Sequence, residues 1–346
     1  MKSAGAALVR RYGDTDFVTG MRAYAALGVV LTHAGGAGLL AFGAVGERLV
    51  VLGAMGVHVF FVLSGFSVCH SLANSASTGQ YAVKRLFRLL PPYYAVIIGY
   101  SLYRGVEPGN VLAHLAMVDW LWPQYGNTIL SIEWTIPVEA WWYLAIPLMF
   151  AFAAKGPFHA ALMLLAAFLS AYVLQVASWR MGVAPGQYFH SPFAHAFPFA
   201  LGVCAYLIRG HFPPSGNAIA NAGMLCAAVL LGAHVLYGIG EPPLVAILLT
   251  GMIIISGRGE AMPVRLVFLN PLVLLIGTVS YSVYLFHLFA INIAKNFVSA
   301  PILLFPIAVA ASVAIACVTY VLIERPSIRL GAACVRAMQR RSLRAA

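Results

Sequence analysis

Ten apolar stretches follow one another along this chain, near 17–40, 49–70, 83–104, 132–154, 159–178, 191–209, 218–237, 242–257, 274–295 and 301–323. Most reach the ~20 residues that cross a bilayer as a helix. Lipid offers the backbone no hydrogen-bond partner, so a chain built this way has to form helices that satisfy their own amides. With 62% hydrophobic and 9% charged residues, 346 residues carry too little polar surface to cover a soluble globule. The expectation is an all-α polytopic integral membrane protein of about ten transmembrane helices. Its parts are a short N-terminal segment (1–16), a membrane domain (17–323) and a basic tail (324–346). The first stretch contains Arg22 and lacks a small-residue cleavage pattern, so it reads as a retained span. Residues 105–131 read as a loop or interfacial helix and 263–273 as an interfacial lead-in.

Charge sets the expected orientation. Ten spans leave both termini on one side, and placing them inside assigns 17 of the 21 lysines and arginines to the cytosol, leaving only Arg48, Arg104, Arg180 and Lys295 outside. Both termini are therefore expected to be cytosolic, with the Arg-rich tail after Glu324 lying on anionic headgroups at about 1 kcal/mol per charge. The net charge of +11 does not indicate nucleic acid, because the basic residues are scattered between apolar stretches without a basic stripe interleaved with aromatics. The five cysteines have no metal-site spacing and read as free, small apolar residues.

Two ionisable residues, Arg22 and His33, lie inside the first stretch, where each costs a few kcal/mol and marks a functional path. Eleven residues of helix turn through about 1100°, so both share one face about 16 Å apart. Arg85 and Arg88 open the third stretch at i and i+3, facing one way from a helix N-terminus, and with Arg22 they could form an anion clamp. The plainer reading of the pair is topological anchoring. His58 and His287 lie at depths similar to that of His33. The three histidines sit on separate helices without paired spacing or carboxylates, so no metal is expected. A neutral imidazole at His33 is either a structural hydrogen-bonding group or a general base. For the second role Glu139 is the candidate orienting carboxylate, and its alternative is a structural pair with a buried arginine. Glu133 is expected at the outer surface. No P-loop, GxGxxG, HExxH or GxSxG occurs, and the small residues at Ser64–Phe66 suit close helix packing.

These segments resemble the membrane acyltransferase type 3 family. GMRAYAALGVVLTH is similar to its first-span pattern of Arg, ten residues and His; GVHVFFVLSGF to its second-span motif; RLFRLLPPYY to its RxxR motif; and WTIPVEAWWYL to its WSLSVEExFYL motif. GTVSYSVYLFH and IERP resemble its last two spans. The resemblance implies transfer of an acyl group, acetyl by default, from acetyl-CoA or another acyl-CoA to a hydroxyl of an extracytoplasmic or lipid-linked glycan, at the inner membrane. It implies catalytic roles for His33 and Glu139, CoA binding by Arg22, Arg85 and Arg88, and a substrate site near His58, His287 and Tyr281. His58 stands where the family most often has aspartate, and Ala140 where a second glutamate is common, which makes a carboxylate-pair mechanism unsuitable. A competing reading is a transporter or flippase for an anionic or glycan-linked lipid, with the arginines as headgroup site. Against it stands the lack of an inverted repeat and of paired broken helices in the sequence.

Overall fold

A computed structural model describes residues 13, 15–183, 189–211, 217–257 and 261–345, so Lys2, Arg10, Arg11, Arg258 and nearly all of the expected N-terminal segment lie outside the described residues. The described chain is helical throughout, without a strand. In order it forms α1 (Asp16–His33), a 3₁₀ segment (Gly35–Phe42), α2 (Gly43–Ala54), α3 (Gly56–Ala73), α4 (Thr78–Arg104) and α5 (Pro108–Leu115). Then come α6 (Thr135–Ala153), α7 (Pro157–Arg180), α8 (Ala196–Arg209), α9 (Asn217–Tyr237) and α10 (Pro242–Ser256). The last five are α11 (Met262–Phe268), α12 (Pro271–Thr278), α13 (Ser280–Lys295), α14 (Pro301–Thr319) and α15 (Arg325–Ala345). Proline sits in the first turn of α5, α7, α10, α12 and α14, where its missing N–H costs nothing.

Among the described residues six helical stretches are long and apolar enough to cross a bilayer, or seven when α12 and α13, bent by 79° at Val279, count as one span. Helices α1 and α4 fall outside that number, being made less apolar by Asp16 and Arg22 and by Lys84, Arg85, Arg88 and Arg104. These two helices bring the site its positive charge. The stretch expected at 49–70 lies within a longer run in which α2 and α3 follow each other through Met55. The boundary expected at 323/324 is a single π-helical turn, Tyr320–Glu324, through which α14 continues into α15. Large apolar side chains such as Leu102, Tyr103, Leu148, Phe158 and Phe297 are exposed around the bundle, a surface suited to lipid. All five cysteines are free.

The bundle closes where small residues let backbones touch. A Cβ at Gly65 of α3 would lie 2.4 Å from the carbonyl oxygen of Phe199, and one at Gly202 of α8 2.2 Å from that of Val62. The small residues of the Ser64–Phe66 segment therefore fix the α3–α8 crossing. Residues 105–133 are pinned as well. His114, Asp119 and Glu133 are fully buried, with His114 Nε2 3.3 Å from Glu133 Oε1 and 3.7 Å from Asp119 Oδ2. Glu133 also accepts from the backbone N–H groups of Ile129, Leu130 and Ile132, so this carboxylate is the keystone of the connection.

Candidate active site

Five helices converge on one chamber. Helix α1 contributes Arg22, α4 contributes Arg85 and Arg88, α6 contributes Glu139 and Tyr143, and α13 contributes Ser280, Tyr281 and Tyr284. Helix α3 closes it with Phe60, Phe61 and Ser64. The cavity volume is about 70 Å³, room for a short file of waters at about 10–15 Å³ each. Ser67 holds two of the arginines: its Oγ accepts from Arg22 Nη2 at 2.8 Å and its carbonyl accepts from Arg85 Nη2. Glu139 Oε1 accepts from both Ser64 Oγ and Tyr143 OH. Tyr281 OH donates to Leu89 O at 2.8 Å. Among the described residues no carboxylate lies within 4.0 Å of these arginines; the three guanidinium groups line the chamber with one carboxylate, Glu139, while buried Glu324, bonded by Ser282, lies outside the lining. A cluster with that charge excess, partly out of water, is a site for an anion.

His33 lies beyond this chamber. Phe60 and Tyr284 line the chamber with ring centroids 6.2 Å apart. Behind Tyr284, at 5.8 Å, sits the ring of His287, and 5.0 Å further the ring of His33. His33 Nδ1 is 2.9 Å from Val29 O and 3.2 Å from His287 Nε2, while His287 Nδ1 is 2.7 Å from Tyr284 O. A carbonyl can only accept, so each Nδ1 of a neutral pair carries the proton. His287 Nε2 is then an acceptor for His33 Nδ1–H, and the His33 Nε2 lone pair is left free on an exposed residue. Glu139, expected to orient His33, instead accepts from Ser64 and Tyr143 on the arginine side, and the side chain that contacts the His33 ring nitrogen is His287. Tyr284 is fixed between the two regions, donating to Ile132 O at 2.7 Å and accepting from Thr135 Oγ1 at 3.0 Å.

His58 goes elsewhere. Its ring meets His195 at 5.7 Å, Phe61 at 6.3 Å and Phe189 at 6.5 Å, and its buried Nδ1 has no partner among the described residues. Six residues of helix rotate about 240°, so when Ser64 faces α6, His58 faces the segment leading into α8. Its neighbours are therefore His195, Phe61 and Phe189 and not the His33 ring. The sequence reading missed Ser64, Ser67, Ser71, Tyr143, Phe60 and Tyr284. The serines carried a signal, since spacings of three and four draw a polar stripe along an otherwise apolar helix. Tyr143 stands at i+4 from Glu139, on the same face.

At the opposite end, in the pinned 105–133 connection, burial pushes the Asp119 carboxyl up to about 6 despite the opposing charge of His114. His114 is raised although burial opposes it, chiefly by its hydrogen bond to Glu133 and by the charge of Asp119. Burial also opposes the ionised form of Glu133, yet the hydrogen bonds from His114 and the backbone hold it below the ordinary carboxylate range.

Comparison with known proteins places the chain in a family. The chain is 28% identical over 307 residues to the exopolysaccharide production protein ExoZ of Rhizobium meliloti, covering 82% of this chain and 92% of that one. It is 24% identical over 310 residues to the acyltransferase MdmB of Streptomyces mycarofaciens, covering 80% of this chain and 78% of that one. No solved structure matches significantly. The acyltransferase domain of the type 3 family matches residues 15–321, and the chain, a multi-pass membrane protein, belongs to that family.

Proposed function

We propose that the protein is an acyl-CoA-dependent O-acyltransferase, moving an acyl group, acetyl in the simplest case, from cytosolic acyl-CoA to a hydroxyl of an extracytoplasmic or lipid-linked glycan, in exopolysaccharide or other surface-glycan modification. The observation that carries this reading is the alignment of an arginine-lined chamber with a histidine pair beyond it, about 16 Å apart along α1. Similarity to a protein named for exopolysaccharide production supports the acceptor class.

The basic end of the bundle faces the cytosol in this account, and donor phosphates rest on Arg22, Arg85 and Arg88. A chamber of about 70 Å³ excludes the nucleotide and admits a thin acyl-bearing arm. Tyr284 is fixed by two hydrogen bonds and Phe60 has ring contacts only, so Phe60 is the side chain that turns aside to bring the thioester to His33. The acceptor oxygen attacks the thioester carbonyl while its proton passes to His33 Nε2. The tetrahedral intermediate collapses, breaking the C–S bond, and the departing thiolate takes that proton to leave as CoA thiol. The imidazolium formed in between is stabilised by His287 Nε2. Glu139 balances part of the arginine charge.

The test is purified protein in lipid nanodiscs supplied with [14C]acetyl-CoA and a deacetylated surface polysaccharide of the host. Label is expected in the polysaccharide with stoichiometric release of CoA thiol, and its loss in His33→Ala. Intact thioester with wild-type protein, as a transporter would leave it, contradicts the reading.

A further inference from the structure

Helix α15 lies outside the family match, which ends at residue 321. Yet it is built into the basic end. Pro91 of α4 has no N–H to give, which leaves the Phe87 carbonyl without its helical partner, and Ser327 Oγ of α15 donates to that carbonyl. Buried Ser327, Gly331 and Val335 recur every four residues and set one face of α15 against α4. A Cβ at Gly331 would lie 2.7 Å from that of Phe87. Gln339 Nε2 adds a bond to Gln80 Oε1 at 3.3 Å. The tail is thus a docked helix, and the side chains beside its packing stripe have fixed places.

One of those is Arg336. With Lys84, Arg85 and Arg88 it lines a vestibule of about 460 Å³ between α4 and α15. A second vestibule of about 280 Å³, between α1, α3 and α4, holds Arg22, and the two share Ser71, Arg85 and Arg88. The arginine pair therefore forms a wall between the narrow inner chamber and a wide outer groove. The inner chamber is too small for a nucleotide, and the outer groove has the size of a small-molecule site. Lys84 Nζ is 3.0 Å from Ser75 Oγ and keeps donor capacity for a ligand.

We propose that the α4–α15 vestibule is a phosphate subsite for the donor, in which Lys84 and Arg336 take the ribose 3′-phosphate of CoA while its pyrophosphate rests on Arg22, Arg85 and Arg88. The assignment rests on the acyl-CoA reading above. It makes α15 part of the donor site and gives the phosphomonoester of CoA, whose charge approaches about −2 on one phosphorus, a basic place of its own.

The experiment is calorimetric binding of CoA and of 3′-dephospho-CoA to the full chain in phosphatidylcholine nanodiscs, repeated with phosphatidylglycerol added. Wild type is expected to prefer CoA. Arg336→Gln and Lys84→Gln should each weaken CoA about fivefold and leave 3′-dephospho-CoA unchanged, whereas Arg340→Gln, outside the vestibule on the same helix, should change neither. Equal wild-type affinity for the two ligands, or equal weakening of both in the variants, overturns the subsite. Loss of a phosphatidylglycerol dependence in the variants, with CoA preference untouched, assigns the vestibule to a lipid headgroup and also overturns it. Because binding is read without turnover, an intact CoA preference in a protein that transfers no acyl group would defeat the acyltransferase reading and leave the subsite standing.

Discussion

Replacing His287 by leucine isolates the contribution of the histidine pair. In the structure His287 Nε2 is the acceptor 3.2 Å from His33 Nδ1, and His287 itself is fully buried, so leucine fills the space while removing the acceptor. During transfer His33 becomes an imidazolium, and a hydrogen bond to a charged group contributes about 1.5–3 kcal/mol. Val29 O, 2.9 Å away, remains as a second acceptor and keeps the loss toward the lower part of that range. At about 2 kcal/mol the turnover number falls about 30-fold, against roughly 10²–10⁴-fold for His33→Ala, which removes the base. The Michaelis constant for acetyl-CoA should stay unchanged, because Arg22 is about 16 Å from His33 along α1 and His287 does not line the arginine chamber. Glutamine at 287 presents an oxygen near the former Nε2 and should recover most of the turnover. The assay is initial-rate transfer of labelled acetyl in nanodiscs, with leucine and glutamine variants side by side. Wild-type turnover in His287→Leu, a loss confined to the Michaelis constant, or a glutamine variant no better than leucine would each refute the reasoning.

Ser67→Ala removes the acceptor of Arg22 Nη2 and should raise the Michaelis constant for acetyl-CoA about fivefold, at about 1 kcal/mol, with turnover little changed in the same assay. Phe60→Ala opens the wall between the chamber and His33, so CoA thiol release without any acceptor should increase, measured with a thiol reagent; an unchanged background would mean that Phe60 gates nothing. The buried cluster gives a pH dependence. Asp119 and His114 both hold their protons more tightly folded than unfolded. That stability is full below their ordinary values and is lost as pH rises through about 6 for Asp119 and through the raised value of His114. Glu133, held low, adds stability above the ordinary carboxylate range that is lost in acid. The melting temperature should therefore decline from pH 5.5 to 8.5. His114→Ala should cost about 3–5 kcal/mol by leaving buried carboxylates unpaired and flatten the decline above pH 6.5, both read by thermal melts in detergent.

The membrane class and the arginine cluster were legible because they depend on local spacing. Arg22 stands alone in an apolar stretch, and Arg85 and Arg88 at i and i+3 must share a face whatever the helix packs against. Pairings between helices were less legible, because they depend on rotation and on tertiary contacts. His33 and His58 were matched in depth, yet His58 turns toward His195. Glu139 was assigned to His33 on chemistry, and Ser64 and Tyr143 claim it. The break at Val279 divides the His287 span into α12 and α13 without a proline or glycine at the break itself. The burial of Glu133 follows from a partner, His114, nineteen residues earlier, which no periodicity connects to it. Ser67 was overlooked because a serine in an apolar helix reads as packing until the arginines it accepts from are in place.

In the proposed reaction a thioester entering past Arg22, Arg85 and Arg88 on one side is cleaved at His33, with the acyl group delivered to the other. Sided proteoliposomes test it most directly, with [14C]acetyl-CoA outside at the basic end and deacetylated host polysaccharide enclosed at the opposite end. Labelled polysaccharide is expected inside with CoA thiol outside in equal amount, and neither with His33→Ala. Labelled polysaccharide formed by His33→Ala at the wild-type rate, or acetyl-CoA left intact by the wild type, would contradict it.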